Sequence, residues 1–316
     1  MTCAFVFPGQ GAQTIGMGRA LAEAYPAARA VFEQVDEALG EHLSALIWEG
    51  EAEDLTLTEN AQPALMATSL AAMRALEAEG GGIEAVSFVA GHSLGEYSAL
   101  AAAGALGVAD AARLLRTRGR AMQAAVPVGA GAMAALLGLD FATAAGVAAE
   151  AAGHQVCQAA NDNDPGQVVV SGHREAVERA VGIAREQGAR RAVLLPVSAP
   201  FHCALMEPAA RAMAEALEGV EINPPAVPLV ANVRARPVSD PATIRALLVE
   251  QVTGVVRWRE SVAWMAGAGV TTFCEIGAGK ALSGMIRRID KSVTTRAVGT
   301  PGDVRELLAA QRGAEL

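Results

Sequence analysis

The chain has 316 residues, of which 52% are hydrophobic, so it can bury a large core and is not expected to be disordered. Its 25 lysines and arginines against 34 aspartates and glutamates give a net charge of −9, which disfavours general nucleic-acid binding by a basic surface. The four cysteines are far apart and form no CxxC pair, which argues against a disulfide framework and a zinc site.

No targeting or membrane segment is expected. The opening MTCAFVFPGQ lacks the basic leader, apolar segment and cleavage site of a secretory signal. The uncharged stretch 121–139 contains proline and several glycines and is dominated by alanine, which makes a membrane span a poor interpretation. We therefore expect a cytoplasmic protein with reduced cysteines.

The first part of the chain alternates strand-like and helix-like stretches. The apolar run CAFVFPG precedes a helix-like stretch at 16–39, and VSFVAG precedes helix-like stretches at 94–104 and 109–124. This alternation predicts an α/β protein with a mostly parallel sheet.

Residues 131–197 follow another order. They run as strand GAMAALLGL, helix FATAAGVAAEAA, strand HQVCQAA, turn NDNDPG, strand QVVVSG, helix REAVERAVGIAREQG and strand ARRAVLLPV. This βαββαβ order predicts a ferredoxin-like unit. We assign 129–198 to this small subdomain, inserted into a large subdomain formed by 1–128 and 199–316.

The large subdomain resumes after the insertion. Its predicted elements are a helix near 203–218, the strand VPLVANV, helices across 241–267, the strand TTFCEIG, the helix KALSGMIRRI, and a closing strand and helix. The same strand and helix alternation continues the parallel sheet.

Ser93 lies between Gly91 and Gly95 in AGHSLGEYSAL, at Gly-x-Ser-x-Gly spacing. An apolar run precedes it and helix formers follow, so it falls at a strand-to-helix turn, where small neighbours expose the hydroxyl and free helix amides face developing negative charge. Glu96, three residues later, also completes the pattern of a helix-capping box. Ser93 is therefore either a nucleophile or a helix cap.

A serine nucleophile needs a base, and His202 is the best of the five histidines. It follows the apolar strand AVLLPVS in the loop APFH and precedes a helix, where α/β enzymes keep functional groups. His92 adjoins Ser93 and on a tight turn would point elsewhere. The alternative for His202 is a loop histidine hydrogen-bonded for structure.

Arg118 is the most informative charge, in the helix-like stretch ADAARLLRTRGRAMQAA. Helical spacing places Arg116 on a solvated basic stripe but Arg118 on the apolar face, beside Met122. A buried arginine needs an anion, which is either a protein carboxylate or a substrate carboxylate.

The glycine-rich opening FPGQGAQTIGMG does not predict a nucleotide cofactor. Thr14 stands where the dinucleotide fingerprint needs glycine, and GAGKA near Lys280 lacks the other residues of a phosphate loop. What remains is a turn whose backbone amides could approach another loop, such as that of Ser93.

Several motifs, in order and nearly end to end, resemble those of the malonyl-CoA:acyl carrier protein transacylases of fatty acid synthesis. They are FVFPGQGAQTIGMG, QPAL, GHSLGEYSAL, RGRAMQAAVPVGAGAMAALLGL, NDNDPGQVVVSGH, REAVERA, LPVSAPFHCALM and EIGAGKALSG. The resemblance implies a hydrolase-like α/β core with an inserted ferredoxin-like subdomain. It also implies that Ser93 is the nucleophile and His202 its base.

The implied reaction is a ping-pong exchange without cofactor or metal. Malonyl-CoA would form a malonyl-serine ester, and the phosphopantetheine thiol of an acyl carrier protein would then collect the acyl group. The resemblance also implies that the amides of Gln10 and Leu94 form an oxyanion hole and that Arg118 holds the malonyl carboxylate. A backbone carbonyl near Gln251 would orient the histidine.

Phe201 departs from the serine that often precedes the histidine in bacterial relatives. In related polyketide acyltransferases a phenylalanine there accompanies malonyl rather than methylmalonyl use. We therefore expect its bulk beside the acyl α-carbon to disfavour a branching methyl.

An acidic carrier protein would need a positive landing site on this acidic chain. The candidates, hereafter the basic patch, are Arg190, Arg191, Arg287, Arg288 and Lys291. Each of them could instead be an ordinary solvated charge.

Alternatives to this function remain at this point. A serine thioesterase or other hydrolase would use the same serine, but Arg118 suits a carboxylate-bearing acyl group better than a neutral chain. A non-catalytic carrier-binding module would not need Ser93, His202, Gln10 and Arg118 together. The carrier could also belong to a polyketide synthase, served in trans. We expect a monomer.

Overall fold

The computed structural model describes residues 2–313, which form two β-sheets with helices packed around them. The strands run in chain order as β1 (Cys3–Phe7), β2 (Phe88–Gly91), β3 (Gly131–Leu137), β4 (Cys157–Asp164), β5 (Gln167–His173), β6 (Arg191–Leu194), β7 (Leu229–Ala231), β8 (Arg236–Val238), β9 (Thr272–Ile276) and β10 (Thr294–Val298).

Short 3-10 turns lie at Ile83–Ala85 and Ala204–Met206. The α-helices are α1 (Arg19–Ala24), α2 (Pro26–Leu39), α3 (Leu43–Glu49), α4 (Ala52–Thr56), α5 (Thr58–Ala78), α6 (Gly95–Ala102), α7 (Val108–Ala124), α8 (Phe141–Ala152), α9 (Arg174–Glu186), α10 (Glu207–Glu218), α11 (Pro241–Thr253), α12 (Trp258–Gly267), α13 (Ala281–Ile289) and α14 (Pro301–Gly313). Among the described residues, no helix is both long and apolar enough to cross a membrane.

The larger sheet has the strand order β10-β9-β1-β2-β7-β8. Every neighbouring pair is parallel except β7 with β8, which forms an antiparallel edge. The predicted, mostly parallel α/β core is therefore confirmed. Because β1, β2 and β7 are adjacent and parallel, the residues that follow them meet at one edge of the sheet.

The smaller sheet has the order β4-β5-β3-β6, with antiparallel pairs throughout. Together with α8 and α9 these strands follow the order βαββαβ, which confirms the predicted ferredoxin-like unit. Asp140 begins α8 by accepting a hydrogen bond from the Thr143 amide at 2.8 Å. All six elements lie within the predicted 129–198 segment, whose exact boundaries stay a prediction.

The core of the large subdomain contains a helix that the sequence pattern did not predict. In α5, 16 of 21 residues are buried, so apolar and small polar residues surround the helix axis. A helix buried on every side has no amphipathic period to detect. The predicted helix at 16–39 is also two helices, because Pro26 begins α2.

The segment NDNDPG corrects a prediction. The expected turn is confined to Pro165 and Gly166, while β4 continues through Asp164. The polar residues of this segment are buried, and hydrogen bonds to residues outside the smaller sheet offset the cost of burying them. The Asp162 amide, for example, donates to the Val256 carbonyl at 2.9 Å. This end of β4 therefore joins the two subdomains.

Candidate active site

Polar residues follow three neighbouring strands of the larger sheet. Gln10 lies beyond the end of β1, Ser93 beyond β2, and Asn232 directly after β7. The Ser93 amide donates a hydrogen bond of 2.8 Å to the Asn232 side-chain oxygen. The carboxyl edge of the sheet is thus the place where the chain gathers reactive groups.

The turn that carries Ser93 depends on close backbone contact. A Cβ atom on Gly91 would lie 1.8 Å from the Gly95 carbonyl carbon, and one on Gly95 would lie 2.3 Å from the Phe7 carbonyl oxygen. Ser93 itself has a φ of 54°, a left-handed conformation that costs free energy in a residue with a side chain. This sharp turn projects the hydroxyl away from the backbone of α6.

The Ser93 hydroxyl meets His202 rather than capping the helix. Its Oγ lies 2.8 Å from His202 Nε2, and Ser93 makes no side-chain capping bond to α6. His202 also has a positive φ, of 57°. The helix-cap alternative for Ser93 therefore has no support from this geometry.

One hydrogen bond sets the tautomer of His202. Its Nδ1 lies 2.9 Å from the main-chain carbonyl oxygen of Gln251, which can only accept, so Nδ1 carries the proton and Nε2 is free to accept the Ser93 proton. Burial, with the nearby charge of Arg118 as the next cause, lowers the pKa of His202 to about 3. The imidazole is therefore neutral at pH 7.

Arg118 is buried at 1% exposure and points at the same hydroxyl. Its Nη2 donates to Ser93 Oγ at 3.1 Å and to Gln251 Oε1 at 2.8 Å, and its Nη1 donates to Gln62 Oε1 at 2.8 Å. These acceptors are all neutral, and Nε has no hydrogen-bond partner within residues 2–313. Burial lowers the pKa of this guanidinium. Such a group is short of an anion.

Arg116 corrects the predicted solvated stripe. Its side chain is only 6% exposed and forms an ion pair of 2.5 Å with Glu41, and it also hydrogen-bonds to Asn60 and to the Glu59 carbonyl. Glu41 precedes α5 in the chain, and Glu59 and Asn60 lie in its first turn. The helical period of α7 alone could therefore not predict these contacts.

Two backbone amides close to Ser93 have no acceptor. The amides of Gln10 and Leu94 form no hydrogen bond within the described part of the chain. The Gln10 side chain is held by Thr58, whose hydroxyl donates to Gln10 Oε1 at 2.7 Å. Free amides of this kind can receive negative charge on an oxygen atom.

These groups open into a cavity of about 430 Å³ between the two subdomains. Phe201, which is 9% exposed, lines it beside His202. The smaller sheet adds apolar wall from Met133 and Val169, and Gln167 adds a polar group. The volume is that of a small-molecule binding pocket.

The basic patch lies on the outer surface, and some of its members are already paired. Arg190, Arg191 and Lys291 are exposed. Arg287 donates to the Thr295 hydroxyl at 2.8 Å, and Arg288 forms an ion pair of 2.7 Å with the buried Asp164. Arg288 therefore has a structural contact whether or not it meets a partner.

Three residues of the site were missed from the sequence. Gln62 and Glu96 are buried and hydrogen-bonded to the residues around Ser93, and Asn232 holds the Ser93 amide. The position of Asn232, directly after a parallel strand, was a usable signal. Glu96 was interpreted only as part of a capping box. Within residues 2–313, no cluster of three or more His, Cys, Asp or Glu side chains is arranged to hold a metal ion.

Comparisons with known proteins show the family to which the chain belongs. The family model described as acyl transferase domain matches residues 4–301. The chain is 48% identical over 299 residues to the malonyl CoA-acyl carrier protein transacylase of Bacillus subtilis strain 168, covering 94% of this chain and 93% of that one.

The chain is also similar to proteins of known structure. The acyl-carrier-protein-S-malonyltransferase of Bartonella henselae superposes with a TM-score of 0.96 at 57% identity, covering 98% of this chain and 99% of that one. A malonyl-transacylase solved in complex with its type II polyketide synthase acyl carrier protein superposes with a TM-score of 0.95 at 42% identity, covering 98% and 100% of the two chains.

Proposed function

The chain belongs to the acyl transferase domain family and is an acyltransferase, and from this premise we propose that it moves a malonyl group from malonyl-CoA to the phosphopantetheine thiol of an acyl carrier protein. One observation carries the proposal. The Ser93 hydroxyl lies 2.8 Å from the free nitrogen of His202 and 3.1 Å from the buried guanidinium of Arg118, which hydrogen-bonds to no carboxylate in the described part of the chain. The nucleophilic oxygen therefore lies within hydrogen-bond distance of a base and of a group that can bind a carboxylate.

The first half of the reaction loads the serine. Ser93 Oγ attacks the thioester carbonyl carbon of malonyl-CoA, and His202 Nε2 takes the hydroxyl proton. The carbon–sulfur bond then breaks, and the imidazolium returns its proton to the departing CoA thiolate. The product is a malonyl ester on Ser93 and free CoA.

The second half reverses these roles with another thiol. His202 Nε2 takes the proton of the phosphopantetheine thiol, whose sulfur attacks the ester carbonyl carbon. The carbon–oxygen bond to Ser93 breaks, and the imidazolium returns the proton to Ser93 Oγ. Because Nδ1 stays bonded to the Gln251 carbonyl throughout, the ring keeps one orientation for both halves.

Both half-reactions place negative charge on the former carbonyl oxygen. The unpartnered amides of Gln10 and Leu94 are the donors that would receive it. Donors fixed before the reaction need no reorganisation, and removing one such donor from a model enzyme costs about 3 to 4 kcal/mol of transition-state stabilisation.

Arg118 distinguishes malonyl transfer from the hydrolysis of neutral acyl chains. A buried guanidinium whose hydrogen-bond acceptors are all neutral favours a site that holds a substrate carboxylate over an empty one. A neutral fatty chain would leave that charge unpaired. The acyl group that fits is therefore one with a terminal carboxylate.

The carrier protein docks at the mouth of the cavity in this proposal, on the basic patch. Apolar contacts are also available there, because the exposed Leu57 and Leu194 each adjoin a cavity-lining residue.

All groups of the site come from one chain, so a monomer is sufficient for the proposed reaction. A cytoplasmic location completes the proposal and agrees with four free cysteines.

The patch is tested by reversing its charge where no buried partner is lost. The double variant Arg287→Glu and Lys291→Glu should weaken transfer to the carrier protein and leave the loading of Ser93 by malonyl-CoA unchanged. An unchanged rate of carrier loading at low salt would reject the patch.

A second carrier is supported by one observation. The relative solved with a polyketide synthase carrier protein covers nearly all of this chain. Competition between a fatty acid carrier and a polyketide carrier, at equal concentration in one reaction, would show which one the enzyme prefers.

The decisive experiment weighs the protein before and after incubation with malonyl-CoA, with Ser93→Ala beside it, and then adds carrier protein bearing its phosphopantetheine arm. We expect a malonyl adduct that Ser93→Ala lacks and that moves to the carrier. Prompt release of free malonate without carrier would indicate a hydrolase. Absence of any adduct would contradict nucleophilic catalysis by Ser93.

A further inference from the structure

Glu96 is a buried carboxyl group to which the proposed reaction assigns no role. It lies in the first turn of α6, three residues after Ser93, and is 1% exposed. Its Oε1 accepts a hydrogen bond from the Asn232 amide, and its Oε2 accepts one from the Gln251 side chain, each at 2.5 Å. Burial raises the pKa of Glu96, whereas these two hydrogen bonds and the charge of Arg118 lower it. Because each carboxyl oxygen faces an N–H donor, the ionised form is the one that this geometry satisfies.

Gln251 connects Glu96 to Ser93, Arg118 and His202. Its Nε2 also donates to the Ser93 carbonyl at 2.9 Å, and its Oε1 accepts from Arg118 Nη2 at 2.8 Å. A carbonyl can only accept and a guanidinium can only donate, so these contacts fix which way the amide points. The main-chain oxygen of Gln251 meanwhile holds His202.

Asn232 connects Glu96 to the strained turn. Its side-chain oxygen accepts from the Ser93 amide at 2.8 Å, and its side-chain nitrogen donates to the Gly91 carbonyl at 2.7 Å. It therefore holds the turn at Gly91 and at Ser93, while its own main-chain amide donates to Glu96.

We propose that Glu96 is a positioning residue which, through Gln251 and Asn232, sets the pose in which Arg118 receives the acyl carboxylate beside Ser93. This inference rests on the proposed function. Glu96 touches neither the acyl group nor the reacting atoms; it acts by presenting two acceptors to two donors, which only a carboxylate can do at this position.

Glutamine at position 96 cannot satisfy both neighbours, because it replaces one acceptor by a donor. If its oxygen faces the Asn232 amide, its NH₂ group meets the NH₂ group of Gln251. Gln251 must then turn, and it presents a donor to Arg118 where it had presented an acceptor. The guanidinium loses a fixed contact, so recognition of the carboxylate should suffer more than the acyl-transfer chemistry.

The test is the ratio of kcat/KM for malonyl-CoA to kcat/KM for acetyl-CoA, the same thioester without the carboxylate, with one carrier protein. In Glu96→Gln we expect this ratio to fall about tenfold, the loss that corresponds to one charge-assisted hydrogen bond. The ratio does not depend on the folded fraction of the preparation, because both substrates use the same active molecules.

Glu275→Gln is the matched control. Glu275 is also fully buried and also accepts two hydrogen bonds, from the amides of Leu282 and Ser283 at 3.0 and 2.7 Å, neither of which belongs to the Ser93 network. It should lower the melting temperature and leave the substrate ratio within about twofold of the wild type.

An unchanged ratio in Glu96→Gln, with a lowered melting temperature, would overturn the inference and leave Glu96 a purely structural residue. If Glu96→Gln does not fold, Glu96→Asp replaces it: this variant keeps the charge but is too short to reach both donors, so the ratio should fall in the same direction. A wild type without preference for malonyl-CoA would instead contradict the proposed function.

Discussion

The two sheets line one cavity but contribute differently to it. At the carboxyl edge of the larger sheet, Ser93 meets His202 and Arg118 through hydrogen bonds of 2.8 and 3.1 Å. The smaller sheet supplies wall residues such as Met133, and within residues 2–313 it makes no hydrogen bond to Ser93 Oγ. In the proposed reaction the larger subdomain therefore supplies the reacting groups, and the smaller one encloses the cavity.

The contacts between the subdomains are of another kind. Asp162 pairs with Arg259 at 2.9 Å, Asp164 pairs with Arg288, and His92 Nε2 lies 2.8 Å from the Asn163 side-chain oxygen. Breaking such a contact leaves a buried polar or charged group without its partner, which lowers stability. Substitutions around Ser93 should therefore change catalysis, and substitutions at the interface should change stability.

Replacing Arg118 should give the largest change. In Arg118→Ala we expect kcat/KM for malonyl-CoA to fall by about 100-fold or more, because a malonyl carboxylate would be buried without its counter-ion. The rate with acetyl-CoA should change far less. Arg116→Ala is the control on the same helix, since Arg116 is also buried and hydrogen-bonded but lies away from Ser93. An equal loss with both substrates would refute carboxylate recognition.

Phe201 tests the shape of the cavity beside the base. In Phe201→Ser we expect the ratio of methylmalonyl-CoA to malonyl-CoA turnover to rise by about tenfold, since removing bulk makes room for one methyl group. Competition assays with both thioesters in one reaction measure this ratio directly. An unchanged ratio would contradict the hypothesis that the bulk of Phe201 disfavours a branching methyl group.

Asp162 tests the polar interface. It is 1% exposed and contacts Arg259 through both carboxylate oxygens. In Asp162→Asn we expect the free energy of unfolding in urea to fall by about 2 kcal/mol, with kcat/KM within a few-fold of the wild type. Asp164→Asn should cost less, because its partner Arg288 is 54% exposed. A large catalytic loss in Asp162→Asn would show that the smaller subdomain does more than enclose the site.

The pH dependence should show the smallest effect. Because burial lowers the pKa of His202 from 6.5 to about 3, we expect kcat/KM for malonyl-CoA to stay level down to about pH 5 instead of falling below 6.5. The same shift in pKa makes stability depend on pH. Below pH 6.5 the unfolded chain binds a proton at His202 and the folded chain does not, so the folded state loses stability as the pH falls from 6.5 towards 3. A kinetic midpoint near 6.5 would contradict this.

Local patterns predicted the elements that depend on neighbouring residues. The strand-turn-helix around Ser93 and the βαββαβ order were visible because each strand is short, apolar and followed by a turn or an amphipathic helix. The buried helix α5 was not predicted, because it has no polar face that would give an amphipathic pattern. Asp162 was assigned to a turn, because its partner Arg259 is 97 residues away.

By itself, then, the sequence determined the fold class, the sharp turn of Ser93, and the apolar helix face on which Arg118 lies, all of which depend on local spacing. Local spacing could not place His202, 109 residues along the chain, beside Ser93; the family resemblance implied this pair, and the tertiary structure gives its geometry. Only the tertiary structure decided that Gln251, which holds His202 through its main chain, also holds Arg118 through its side chain. The physical reason is that local periodicity reports which face of an element is buried, but not which distant group satisfies a charge or a hydrogen bond on that face.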